Sequence, residues 1–237
     1  MSELEEISRQ YLDRTPDREV DAFLIAEIAQ RVCQDLSGES VIELGVGDRA
    51  WTPLLLERFE RVVSVDGSAA LIKKVAEELS EPRWTGVVSM FEHFTPTDRA
   101  EVVLATYVLE HVDNPEEVLA RARTWVSDDG LLVVIVPNAG SLHRRLAQAM
   151  RLVDDPTALG EADRRLGHKR VFTVDTLSAA VKEAGFAIES IEGFLAKTLP
   201  NSLLVQCSDA QLAGLVDLGR ALPTDLAAAI CLRARPR

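Results

Sequence analysis

Four short apolar runs, at residues 41–42, 62–65, 102–105 and 131–136, are separated by stretches of helical spacing, and this alternation most constrains the fold. Strands that alternate with helices pair in parallel, because each crossover brings the chain back over one sheet. The last run carries no polar residue, which fits a strand covered on both faces. Helices are expected over 17–36, 51–59, 68–79, 115–125, 175–184 and 209–220, with a shorter one over 3–13. Strands are expected over 41–45, 62–66, 85–89, 101–106, 130–136, 186–194 and 227–235. Ligands of such sheets bind beyond the carboxyl ends of the strands. Glu43, Gly45, Asp66, Thr106 and Pro137 all fall at that edge.

The first run ends in a glycine-rich turn with acids on both sides, Glu43-Leu44-Gly45-Val46-Gly47-Asp48. Gly45 and Gly47 permit a sharp turn and a close approach of ligand to main chain. The second run ends in Asp66, 21 residues after Gly45, the spacing at which a carboxylate reaches the ribose of a nucleotide lying over the turn. Gly45, Gly47 and Ala50 also match a dinucleotide fingerprint. A pyrophosphate there would lie beside Glu43 and Asp48, at a cost on the order of several kcal/mol. A nucleoside with a cationic sulfonium and ammonium meets no such repulsion. The acids therefore favour S-adenosylmethionine over NAD.

From here the chain resembles the class I S-adenosylmethionine-dependent methyltransferases, over residues 40–195. Glu43–Gly47 is similar to that family's first motif and Val65-Asp66-Gly67-Ser68 to its ribose-binding strand end. Residues 102–112 are similar to its fourth strand and following turn, and Gly130–Asn138 to its fifth strand with the Pro-Asn ending of small-molecule members. Arg49 departs from the pattern where a third glycine is usual, and Met90 where many relatives carry an acid. The resemblance implies a Rossmann-like, doubly wound α/β sheet of seven strands ordered 3-2-1-4-5-7-6. It also implies S-adenosylmethionine contacts at Glu43, Gly45, Gly47, Asp66, Gly67, Ser68, Met90, Phe91, Glu92 and Thr106, with Glu92 standing in for the acid missing at Met90.

With 237 residues and 47% hydrophobic composition, one methyltransferase domain over 1–237 is expected, capped by N-terminal helices at 1–36. The acidic N-terminus and the absence of long apolar runs point to a cytoplasmic protein without membrane association. Three scattered cysteines make neither a disulfide framework nor a zinc motif, and no metal is expected. A net charge of −12 disfavours a nucleic-acid partner, while formation of a homo-oligomer is left open. Residues 138–172 hold seven Lys or Arg against four acids and show weak periodicity, and are expected to form a lid over the acceptor.

The expected reaction is methyl transfer to nitrogen or oxygen of a small, anionic acceptor. A histidine is the side chain best suited to take a proton near neutrality. His111, in the turn leaving the fourth strand, and His168, in the element Gly167-His168-Lys169-Arg170, are the expected catalytic residues. Tyr11, Tyr107, His143 and Arg170 are expected at the acceptor, Arg170 through its planar fork on a carboxylate or phosphate. An NAD-dependent oxidoreductase and a non-catalytic cofactor-binding scaffold are the alternatives.

Overall fold

The structure, a computed structural model, describes residues 15–47 and 49–237. Tyr11, Asp48 and the helix expected over 3–13 lie outside the described residues. Proline at the first helical position, with Asp17 and Glu19 in the first turn, suits a helix start, and α1 runs Pro16–Cys33. Its buried residues Val20, Leu24, Ile28 and Val32 repeat at four-residue spacing and give it one face to lay on the sheet.

The first half alternates β1 (Gly38–Leu44), α2 (Thr52–Leu56), β2 (Phe59–Asp66), α3 (Ala69–Leu79), β3 (Trp84–Val88), β4 (Ala100–Thr106), α4 (Pro115–Trp125) and β5 (Val126–Pro137). The second half adds α5 (Leu142–Ala149), α6 (Glu161–Arg165), α7 (Val174–Glu183), β6 (Phe186–Phe194), α8 (Asn201–Leu204), α9 (Asp209–Ala221) and β7 (Ala229–Pro236). The strands form one seven-stranded sheet in the order β3-β2-β1-β4-β5-β7-β6. β1 to β5 pair in parallel, and β7 lies antiparallel between β5 and β6. The expected order of seven strands is the one observed.

Side-chain alternation along the central strands divides the core in two. Ile42, Leu44, Val103, Leu132 and Val134 point to the face covered by Leu119 and Trp125 of α4 and Leu177 of α7. Val41, Val102, Leu104, Val133 and Ile135 point to the other, where Leu24 and Ile28 of α1, Leu55 of α2 and Leu212 of α9 cover them. Each strand is thus buried on both sides, as its unbroken apolar sequence demands.

Two boundaries differ from expectation for packing reasons. The helix expected over 51–59 stops at Leu56, because Phe59, only 1% exposed, turns into the core and begins β2. β5 begins at Val126, which pairs with Ala100 before the register shifts. The segment 138–172 leaves and rejoins the sheet at one point: Asn138 bridges Phe172, and the Ala139 N–H donates to the Phe172 carbonyl at 2.7 Å.

Candidate functional site

The carboxyl ends of β1 and β2 meet in a tight network. Gly45 takes φ +77°, and its N–H donates to the Val65 carbonyl at 2.8 Å. A Cβ at Gly45 would stand 2.6 Å from Val108 Cγ1, so only glycine leaves the turn open. Asp66, 7% exposed, accepts from the Val46 N–H at 3.0 Å and the Ser68 N–H at 2.8 Å, tying the two strand ends together. Burial raises its carboxyl, and the two N–H donors act in the opposite direction. Arg49, where a third glycine is usual, adopts φ +62°, and its guanidinium pairs with Glu78. The glycine conformation is therefore kept without glycine, at a backbone cost on the order of 1–2 kcal/mol.

Glu43 is placed differently from expectation. Its side chain follows the alternation of β1 to the face shared with Val41, where it is fully buried under α2. The carboxylate accepts from Thr52 Oγ1 at 2.8 Å and Ser64 Oγ at 2.5 Å. Burial pushes it up to about 7, against the lowering effect of the two hydroxyls. Glu43 braces the turn and does not line the cavity below, so its expected contact with the cofactor's positive end is corrected. Ser68 is corrected in the same way: its Oγ caps α3 by accepting from the Leu71 N–H at 3.3 Å.

Beyond the strand ends lies a cavity of about 610 Å³. One part is lined by Gly45, Gly47, Asp66, Gly67, Met90, Phe91 and Glu92, the residues singled out in the sequence. Thr106 and Tyr107 lead from it to a second part lined by Glu110, His111, His143, His168 and Lys197. Tyr107 holds φ +56°, an uncommon conformation for so large a side chain, and lines the cavity beside Thr106. Its phenol is pushed well up by burial, then by Asp21 and Glu110, and stays a donor.

The second part is a polar cluster built from distant segments. His111 and His168 stack edge to face with ring centroids 4.8 Å apart. Nδ1 of His111 lies 3.3 Å from the Gly167 carbonyl, and Nδ1 of His168 lies 3.2 Å from Asp163 Oδ1. Asp163 is held in turn by Arg144 at 2.5 Å and the Gly160 N–H at 2.7 Å. Burial raises Asp163, but His168, Gly160 and Arg144 outweigh it and hold the carboxyl well below the usual range. Glu110 is 1% exposed, and neither of its carboxylate oxygens has a hydrogen-bond partner among the described residues. Burial pushes its carboxyl up to about 7. Burial also lowers both His111 and His143 to about 4, so both are neutral imidazoles.

Arg170 does not reach the cavity. Its guanidinium donates to the carbonyls of Leu109 at 3.1 Å, Asp113 at 2.9 Å and Val112. It stitches the turn after β4, so the expectation that it grips the acceptor is corrected. Replacing it by methionine leaves three carbonyls without a charged donor, at a cost of about 2–3 kcal/mol in a denaturant titration. A loss below ~1 kcal/mol would contradict this anchoring role.

Sequence reading missed Asp163, Arg144 and Lys197 at the cluster. Asp163 precedes His168 by five residues, and the two meet because the chain turns back at the end of α6. Lys197 lies in an irregular segment after β6, where burial lowers its ammonium and Asp21 raises it. Nothing local to its sequence marks it.

Residues 15–191 match a family described as a methyltransferase domain. The chain is 27% identical over 157 residues to an uncharacterized methyltransferase of Geobacillus kaustophilus, covering 65% of this chain and 71% of the relative. It is also 27% identical over 127 residues to (S)-coclaurine N-methyltransferase of Thalictrum flavum, covering 52% and 35%. Among solved structures, the N-methyltransferase NodS of Bradyrhizobium japonicum in complex with S-adenosyl-L-homocysteine superposes with TM-score 0.62. The identity there is 13%, over 98% of this chain and 97% of that one. With the seven-strand order and the glycine turn under the same strand ends, the chain belongs to the class I S-adenosylmethionine-dependent methyltransferases.

Proposed function

We propose that the protein transfers a methyl group from S-adenosylmethionine to nitrogen or oxygen of a small molecule held at the histidine cluster. The observation that carries this reading is the continuity of one cavity from Asp66 to His168. At about 610 Å³ it is of the size that encloses a cofactor and a small acceptor together. The similar proteins named as N-methyltransferases, one of them of (S)-coclaurine, support the same class.

In this reading Asp66 takes the ribose hydroxyls with Gly67 beside it, and Met90, Phe91 and Glu92 surround adenine. Gly45, Gly47 and Thr106 hold the methionine portion, which leaves the sulfonium directed at the second part of the cavity. The transferred carbon is already activated. What the protein supplies is an acceptor atom in line behind it at about 3 Å, with water excluded. Tyr107 and His143 border the acceptor. His111 and His168 are the catalytic residues of this proposal: they face the acceptor's reactive atom and govern loss of its proton. The segment 138–172 supplies His143, Asp163 and His168, and acts as the cover over the acceptor.

Thermal-shift titration tests the cofactor. S-adenosylhomocysteine is expected to raise the melting temperature and NAD to leave it unchanged. Asp66→Ala is expected to weaken S-adenosylhomocysteine about 10–100-fold, the loss of charge-assisted hydrogen bonds worth about 1.5–3 kcal/mol. Stabilisation by NAD alone would overturn the assignment. A methyl-transfer screen with labelled cofactor tests the chemistry, and tight cofactor binding with no transfer to any amine or hydroxyl compound would favour a scaffold.

A further inference from the structure

We propose that Glu110, His111 and His168 form a binding site for one divalent first-row transition-metal ion, open to the acceptor end of the cavity. One potential ligand atom from each residue lies within 4.8 Å of the others. Donors around a single such ion at about 2.1 Å stand no more than about 4.2 Å apart, so small side-chain rotations close the site.

Three independent features point to a cation there. The Glu110 carboxylate is buried with both oxygens unpartnered among the described residues, although buried carboxylates are ordinarily paired. Each histidine has its Nδ1 engaged with an outer oxygen, the Gly167 carbonyl for His111 and the Asp163 carboxylate for His168. Such partners hold the proton on Nδ1 and leave the Nε2 lone pair for a ligand, the outer arrangement found behind metal-bound histidines. The supporting frame is also braced: the Lys169 N–H donates to the Glu110 carbonyl at 2.7 Å, and the His168 N–H to the Asp163 carbonyl at 2.9 Å. Two imidazoles and one carboxylate suit Zn²⁺, Mn²⁺, Fe²⁺ or Co²⁺ better than Mg²⁺, which prefers oxygen ligands.

Three protein ligands leave coordination positions open toward the cavity. This part rests on the methyltransferase reading and narrows its substrate class to acceptors with an ionisable hydroxyl. The ion makes that hydroxyl acidic, and its proton leaves to solvent as the acceptor binds, before water is excluded. The oxygen lone pair then forms the new C–O bond as the C–S bond breaks, and its electron pair stays on sulfur in the departing S-adenosylhomocysteine.

The test uses the full chain, stripped with chelator and dialysed, then titrated calorimetrically with Co²⁺ and with Zn²⁺. About one ion per chain is expected. Glu110→Gln and His168→Asn should each weaken binding more than about 100-fold, and Asp163→Asn, which only positions His168, about 10–100-fold. Asp163→Asn should also alter the visible spectrum of bound Co²⁺, which a purely structural role would leave unchanged. Absence of saturable binding to the wild-type chain, or equal binding by the variants, would overturn the site. S-adenosylhomocysteine binding, measured on the same samples, reports folding and separates the two readings: cofactor without metal defeats this proposal alone, and metal without cofactor defeats only the methyltransferase chemistry. Should a variant fail to fold, anomalous diffraction from wild-type crystals grown with Zn²⁺ decides the matter. A peak between the three side chains supports the site, and peaks only elsewhere overturn it.

Discussion

Gly219→Ala is expected to destabilise the protein by about 3 kcal/mol or more. A Cβ at Gly219 would stand 2.0 Å from the Leu195 nitrogen, 2.5 Å from the Phe194 carbonyl carbon and 2.7 Å from Leu195 Cα. These are backbone atoms, so no rotamer change relieves the overlap. α9 has to move off the end of β6, and the Ala196 N–H then loses the Leu215 carbonyl, its partner at 2.7 Å. Leu195 and Lys197 line the cavity, so the displacement also disturbs the acceptor end. Gly214 on the same helix has nothing within 4 Å of its would-be Cβ. Gly214→Ala is therefore expected to stabilise by about 0.5–1 kcal/mol through helix propensity alone. Urea denaturation of the pair checks the contrast, and a loss under ~1 kcal/mol for Gly219→Ala would refute the close contact.

The second large effect is a pH-dependent gain from Glu43→Gln. The Glu43 carboxyl is raised in the folded protein from 4.5 to about 7, chiefly by burial. A raised carboxyl means that the folded state binds more protons than the unfolded state between those two values. Stability therefore falls as pH rises through this window and levels off above it. The displacement corresponds to about 3 kcal/mol above pH 7 and to nothing below pH 4.5. Glutamine keeps oxygen and nitrogen near Thr52 and Ser64 without having to ionise. The variant should match the wild-type chain at about pH 4.5 and exceed it by about 2–3 kcal/mol at pH 8. Other carboxylates titrate nearby, so the difference between the two proteins, measured by denaturation across pH, isolates Glu43. A pH-independent difference would show that Glu43 is ionised throughout.

The two residues show how far local pattern reaches. The alternation of apolar runs and helical stretches specified the parallel half of the sheet, because a strand covered on both faces and an amphipathic helix have distinct periods. Spacing between Gly45 and Asp66 was equally legible, since both sit at strand ends whose positions follow from those periods. The face taken by Glu43 was not. A carboxylate two residues before a glycine turn reads as a ligand contact until the register of β1 against β2 sets it opposite Ser64.

Arg170 shows the same limit from the opposite side. Its charge and its place after Gly167-His168 were visible, but its partners are carbonyls about 60 residues earlier in the chain. Only the return of the 138–172 segment to the end of β5 brings them together. Asp163, Arg144 and Lys197 joined the cluster for the same reason, their neighbours being distant in sequence and irregular in local structure.

By itself the amino-acid sequence determined the order of elements, the glycine turn and the carboxylate facing it, because each sits at a strand end whose position follows from local periodicity. The tertiary structure alone decided which acids are buried, that His111 meets His168, and that Glu110 lacks a partner among the described residues. Those outcomes depend on how separate units pack, and burial acts on charge only after packing has removed the water.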